Sequence, residues 1–177
     1  MIKKIIIMGL ILIVSGCSTY AVNRYSISTD NVMALKALDG ASVNIGEFTS
    51  TDPGLSEIMC RGVGPIKTPD GQSFSSFIQK ALTDELKIAG IFSSSSAITL
   101  TGNLDSIDFS SSSGNWRLAL TVNSSNNHSI KVAEDYSFTS SFYGETACNQ
   151  TAQALMPAIQ NLIGKVVSDP GFHKLVK

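Results

Sequence analysis

Histidine, cysteine and tryptophan are scarce in this chain: two, three and one among 177 residues. So few imidazoles and thiols leave little material for a zinc site or a conventional nucleophile–base pair. Charge is sparse as well. Only 15% of the residues are charged, against about a quarter in ordinary globular proteins. The 13 Lys and Arg nearly balance the 14 Asp and Glu, for a net charge of −1. Such a balance offers no basic field for a phosphate backbone, so no nucleic-acid partner is expected. There is no Cys-x-x-Cys, no Gly-x-Ser-x-Gly elbow, and neither P-loop nor dinucleotide spacing among the glycines. What the chain does have is apolar content, 43% of its residues, which argues against wholesale disorder, and a length suited to one domain. Serine is the commonest residue at 26, and its clusters read as solvated turns.

The most apolar stretch lies at the N-terminus. Met1-Ile2-Lys3-Lys4 is a short basic region, and Ile5 to Val14 is an apolar run of ten residues. Ten residues are too few for a bilayer core of roughly 30 Å, so a cleaved export signal fits better than a membrane span. Val14-Ser15-Gly16-Cys17 follows directly. These four residues resemble the bacterial lipobox, although Val14 stands where Leu is usual. The resemblance implies lipidation of Cys17, including palmitate, and cleavage just ahead of it. Residues 1–16 are then the signal peptide, and the mature chain keeps 161 residues. Losing Lys3 and Lys4 takes the formal charge to −3. Two or three acyl chains suffice for stable attachment, which one chain does not give. Ser18 in place of Asp implies, by resemblance to the sorting rule of Gram-negative lipoproteins, transport to the outer membrane, facing the periplasm.

With Cys17 lipidated, Cys60 and Cys148 remain in an oxidising compartment, and one disulfide between them is expected. The alternative is two separate buried thiols.

Residues 17–29 are polar and without sustained periodicity, and read as a lipidated tether. A single periplasmic domain occupies 30–177. It opens with a short helix through Asn31 to Leu38, capped by Ser28, Thr29 or Asp30, with Val32, Leu35 and Leu38 on one face. A strand over Ala41–Thr49 follows. From Ser50 to Ser73, Asp52-Pro53-Gly54, Gly62, Gly64-Pro65 and Pro69-Asp70-Gly71 are turn signals that predict a long loop. Ser73 to Ala89 is an amphipathic helix with Phe74, Phe77, Ile78, Ala81, Leu82, Leu86 and Ala89 at helical spacing and Gly90 as its stop. Three strands follow, with a change of apolar phase near Asp105 that predicts a bulge, and Trp116 to Val122 alternates most clearly. A helix from about Glu145 to Val167 closes the domain. Pro157 predicts a kink, or two helical pieces meeting near Met156. The expected fold is therefore α+β: a β-α-β-β-β-α two-layer sandwich, with a mainly antiparallel four-stranded sheet, helices on one face, and the short helix in front. The opposite sheet face would carry Arg117, Thr121, Asn123, Lys131 and Asp135.

Chemistry-bearing clusters are poor. His128 falls in a turn and His173 in a short C-terminal tail, each without a ligand-like neighbour, so no metal and no cofactor are expected. Asp105 and Asp108 would point to opposite faces unless the bulge realigns them. Asn123, Asn127 and Asn149 each begin a match to the glycosylation pattern, which is incidental in a bacterial lipoprotein. No catalytic residue is assigned, the ligand-binding surface is unknown, and the oligomeric state is open.

The lipobox, the polar tether and the element order are similar to those of a broad group of small periplasmic lipoproteins, as is the stretch Phe77-Ile78-Gln79-Lys80-Ala81-Leu82-Thr83-Asp84-Glu85-Leu86-Lys87-Ile88-Ala89-Gly90 leading into a meander. That group includes auxiliary lipoproteins of ABC-type lipid-transport systems, YajG-like lipoproteins and, more distantly, the lipoprotein that plugs the outer-membrane lipopolysaccharide translocon. The resemblance implies a non-enzymatic accessory role in a cell-envelope assembly, with an envelope protein as partner and the membrane reached through Cys17. The alternative is a lipid- or envelope-polymer-binding subunit of a transport system. Only Cys17 carries over as a functional residue.

Overall fold

The computed structural model describes residues 19–177, so Cys17 and the expected signal peptide of residues 1–16 lie outside the described residues. The elements in chain order are β1 (Tyr20–Ala21), α1 (Thr29–Lys36), β2 (Asn44–Ser50), β3 (Glu57–Cys60), β4 (Gly64–Lys67), α2 (Phe74–Ala89), β5 (Thr99–Ser110), β6 (Asn115–Ser124), β7 (Ser129–Ser137), α3 (Gly144–Ser168) and α4 (Phe172–Leu175). The main sheet has the order β2-β5-β6-β7. β2 and β5 are parallel, while the two hairpin-connected pairs are antiparallel. α2 packs on β2 and β5, and α3 on β6 and β7, which makes the α+β two-layer arrangement.

Local chemistry explains the main helix. The Ser73 hydroxyl accepts from Ser76 N at 3.1 Å at the start of α2, and Gly90 closes it in the left-handed region at φ +81°. Between these caps Phe74, Ile78, Ala81, Leu82 and Leu86 are fully or almost fully buried. Trp116, the lone tryptophan, is also fully buried and donates its indole N–H to the Thr151 carbonyl of α3 at 2.8 Å. That bond joins the middle of the sheet to the helix covering it.

Three expectations are corrected. The tether does not extend to Thr29: Tyr20 and Ala21 pair in parallel with Ile66 and Lys67, Val22 N donates to Lys67 O at 2.9 Å, and Val22 is buried. The loop over Ser50–Ser73 contains the antiparallel hairpin β3–β4, so a second sheet of order β1-β4-β3 packs against α3. α3 passes Pro157 as a single 25-residue helix. Pro157 removes one backbone bond, but Gln153, whose carbonyl is left over, is exposed, and Ala154, Leu155, Ala158 and Ile159 clamp the buried side. The C-terminal residues also do more than trail: Phe172, Leu175 and Val176 are buried, and Ser124 Oγ and Asn126 Nδ2 donate to carbonyls of this segment.

The disulfide is present. Cys60 at the end of β3 is bonded to Cys148 in the second turn of α3, with Cα atoms 5.8 Å apart, and both residues are fully buried.

Candidate functional site

The best-formed cleft lies where the segment before α1 crosses the first half of α2. It has a volume of about 250 Å³ and is lined by Arg24, Tyr25, Pro69, Asp70, Phe77 and Lys80, with Gln72 and Asp84 at its margin. Tyr25 and Phe77 meet edge to face, ring centroids 6.5 Å apart, and with Pro69 supply the apolar surface. Its charges are paired within the cleft. Arg24 donates both terminal nitrogens to Asp70, at 2.6 and 2.7 Å, and Lys80 Nζ lies 2.5 Å from Asp84. Asp70 sits at φ +60° in the turn after β4, a backbone position that aspartate tolerates better than most residues. Such a cleft presents matched dipoles around an apolar patch, which suits an amphipathic group or a protein side chain rather than a strongly charged ligand.

Beneath it lies the one carboxylate in α2 that is wholly buried, Glu85. Its Oε1 accepts from Tyr25 Oη at 2.5 Å, Ser28 N at 3.1 Å and Asn31 Nδ2 at 3.2 Å, while Oε2 has no partner. Burial pushes the Glu85 carboxyl above the ordinary glutamate value, against the opposing effect of the bonds from Tyr25, Ser28 and Asn31. Burial and the acceptor at Glu85 also raise Tyr25, so it remains a phenol donor. Asn31 donates in addition to Gln160 O of α3 at 2.9 Å, and Gln160 Nε2 donates to Ser26 O at 2.7 Å. Glu85 Oε1 thus binds the 25–31 segment to α2, and Asn31 with Gln160 binds it to α3.

The polar face of the main sheet carries the bulge anticipated near Asp105. The register shift between Leu104 and Ser106 is the predicted bulge, and it turns Asp105 to the same outer face as Asp108. Thr121 and Asn103 donate to Asp105 at 2.7 Å each, and Lys131 lies 3.2 Å away. Partial burial raises the Asp105 pKa, but these three partners outweigh it and hold the carboxyl below its usual range. Asp108 pairs with Arg117 at 2.5 Å. The two carboxylates are therefore each neutralised by a cation, and Asn115 donates to Asp135 at 3.1 Å.

His128 lies in the β6–β7 turn and His173 in α4; among the described residues no three His, Cys, Asp or Glu side chains gather as a metal site. Glu85 escaped the sequence reading although its position, seven after Ile78 and three after Leu82, is the buried phase of α2. Glu134 has the same signal: it continues the buried alternation of Ile130 and Val132, and Lys165 and Asn161 of α3 reach it at 2.7 and 3.2 Å.

No family model matches the chain, and no curated protein matches it. Two solved structures are similar to it. A Xanthomonas campestris protein of the family DUF330 has 12% identity and a TM-score of 0.47, over 85% of this chain and 95% of its own. A Caulobacter crescentus CB15 protein, described provisionally as a lipoprotein, has 12% identity and a TM-score of 0.38, over 80% of this chain and 92% of its own.

Proposed function

We propose that this chain is an outer-membrane-anchored lipoprotein whose periplasmic domain binds another envelope protein and performs no reaction itself. The observation that carries the reading is the sequence Val14-Ser15-Gly16-Cys17 behind a ten-residue apolar run. The Cys60–Cys148 bridge supports export, because such bonds persist in oxidising compartments. Two features favour a protein partner over carriage of a lipid or envelope polymer. The apolar face of α2 is turned to the sheet, with Phe74, Ile78, Ala81 and Leu86 fully buried, so it is used as core rather than offered as an open groove. The cleft at Tyr25 and Phe77, about 250 Å³, falls below the roughly 300–1,000 Å³ of small-molecule sites and is the size for a protruding side chain, while the larger recesses, such as that of about 510 Å³ beside Asn31 and Gly164, are open to solvent and do not enclose a ligand.

Two measurements test this. Metabolic palmitate labelling and membrane fractionation should place the wild-type protein in the outer membrane, while Cys17→Ser should lose both label and attachment; retained attachment would overturn the anchor. A photocrosslinking residue at Lys80, in intact cells, should capture an envelope protein at the cleft. Recovery of lipid adducts alone would favour the carrier alternative.

A further inference from the structure

The most exposed aromatic side chains of the domain lie at the end from which the chain leads towards Cys17. Phe142 and Tyr143 are 94% and 76% exposed, immediately before α3, and meet edge to face with centroids 6.2 Å apart. Two large rings in water within a serine-rich segment serve no core. Their loop is nevertheless firmly held. Arg61, in the β3–β4 turn, donates Nη1 to Phe142 O at 3.1 Å, Nε to Ser111 Oγ at 2.8 Å and Nη2 to Ser111 O at 2.8 Å. Ser141 N donates to Gln150 Oε1 at 2.7 Å, and the Cys60–Cys148 bridge fastens the same turn to α3. The rings are displayed on a fixed platform.

Chain connectivity places that platform beside the attachment point. β1 runs parallel to β4 with Tyr20 opposite Ile66, so β1 starts at the end on which β4 begins, next to the turn that bears Arg61. Tyr20 also shares a recess with Glu145, Thr146 and Asn149, in the first turns of α3 directly after Tyr143. Cys17 precedes Tyr20 by three residues, and three peptide steps span at most about 11 Å.

We propose that Phe142 and Tyr143 are a membrane contact: they insert at the headgroup level of a phospholipid bilayer, beside the lipid on Cys17, and fix how the domain stands on the membrane. The inference rests on the lipoprotein reading above. Aromatic rings prefer the membrane–water interface, tyrosine because its ring is apolar while its hydroxyl stays wet. Because the lipid already holds the domain at the surface, insertion is an intramolecular step and needs only two rings to set orientation. The exposed Met33 on α1 is a natural contrast: its helix packs where Asn31 meets Gln160, about 25 Å along α3 from Tyr143.

The test uses the lipidated full chain in liposomes of phosphatidylethanolamine and phosphatidylglycerol, with or without brominated phosphatidylcholine as a contact quencher. Trp116 is buried, so wild-type emission is the background. Phe142→Trp should lose about half its added emission on bromination, as an interfacial indole does, while Met33→Trp should be unaffected. Intact-mass analysis of the same samples reports acylation of Cys17. Acylated protein with an unquenched Phe142→Trp overturns the membrane contact and leaves the anchor standing; absence of acylation overturns both. A crosslinker at position 142 that captures an envelope protein in cells, with no quenching in liposomes, assigns the patch to that protein and likewise overturns the proposal.

Discussion

Opening the Cys60–Cys148 bridge should destabilise the domain by a calculable amount without changing its native packing. The cysteines are 88 residues apart, and the intervening chain contains β4, α2, β5, β6 and β7. In the chain-entropy model a closed loop of that length lowers the entropy of the unfolded state by roughly 15 cal/mol/K, or about 4.6 kcal/mol at 25 °C. In the native state the two ends are held without the bond: β3 by its pairing with β4, and α3 by its contacts with β4, β6 and β7. Residual structure in the reduced unfolded chain trims the figure, so a loss of about 3–4.5 kcal/mol is expected. Urea unfolding of oxidised and reduced protein, followed through Trp116, measures it. Reduction should lower the midpoint and, apart from the loss of the disulfide's own broad band, leave the tryptophan fine structure of the native near-ultraviolet circular dichroism intact, because the Trp116 indole is fixed by Thr151 rather than by Cys148. The urea dependence should steepen, since the reduced unfolded chain exposes more surface. A loss under about 1 kcal/mol, on the same entropy scale, would refute the reasoning. So would a native tryptophan fine structure that changes on reduction, by showing that the bridge shapes the fold instead of restricting the unfolded chain.

Two further substitutions read single features. Gly114 has φ +71°, and a Cβ there would lie 2.2 Å from Phe138 O, whereas Gly54 at φ +77° has open space around it. Gly114→Ala should therefore cost about 2–4 kcal/mol in urea unfolding, and Gly54→Ala only the left-handed backbone penalty of about 1 kcal/mol; equal losses would remove the steric argument. Glu85 is raised by burial, so the folded protein holds its proton more tightly than the unfolded chain does. That contribution is complete below the unfolded value and is lost as pH rises from about 4.5 through the folded value. Subtracting the stability–pH curve of Glu85→Gln from that of wild type should leave this falling component, and a flat difference would refute it.

The parts of the fold that were legible in the sequence are those where one periodicity runs uninterrupted. α2 has seven apolar positions in register between a serine cap and a glycine stop, and β6 alternates from Trp116 to Val122. The β3–β4 hairpin was hidden by its own composition. β4 is the middle strand of the small sheet, yet it contains Gly64 and Pro65, residues that argue against a central strand. The structure resolves the conflict through length: β1 pairs only with Ile66 and Lys67, so Pro65 has a partner on one side only, and its missing N–H costs no ladder bond to β1. β1 was then unreadable in turn, because a two-residue strand has no periodicity and its partner was not recognised. The cleft was hidden for the same reason, since five of its lining residues, Arg24, Tyr25, Pro69, Asp70 and Gln72, lie in the segments read as tether and loop.

Pairing from Tyr20 onwards shortens the reach of the proposed lipid anchor. A free tether from Cys17 to Thr29 could span about 40 Å when extended, enough to let the domain rotate freely and search a thick layer of periplasm. In the structure the path is secured from Tyr20 onwards by the β1–β4 pairing, the Arg24–Asp70 pair, Ser26 O with Gln160, and Tyr25 with Glu85. Under the proposed lipidation of Cys17, three residues and about 11 Å of reach remain between lipid and folded domain. Effective concentration falls steeply once a linker cannot span two sites, so a domain held this closely favours partners seated in or directly on the membrane and works against those standing off it. The buried carboxylate of Glu85 fits that role: placed on the apolar face of α2, it collects the donors of the 25–31 segment and turns a polar stretch of chain into a fixed arm. Under the proposed lipidation of Cys17, Glu85 thereby connects the core of the domain to the distance at which it would stand from the bilayer.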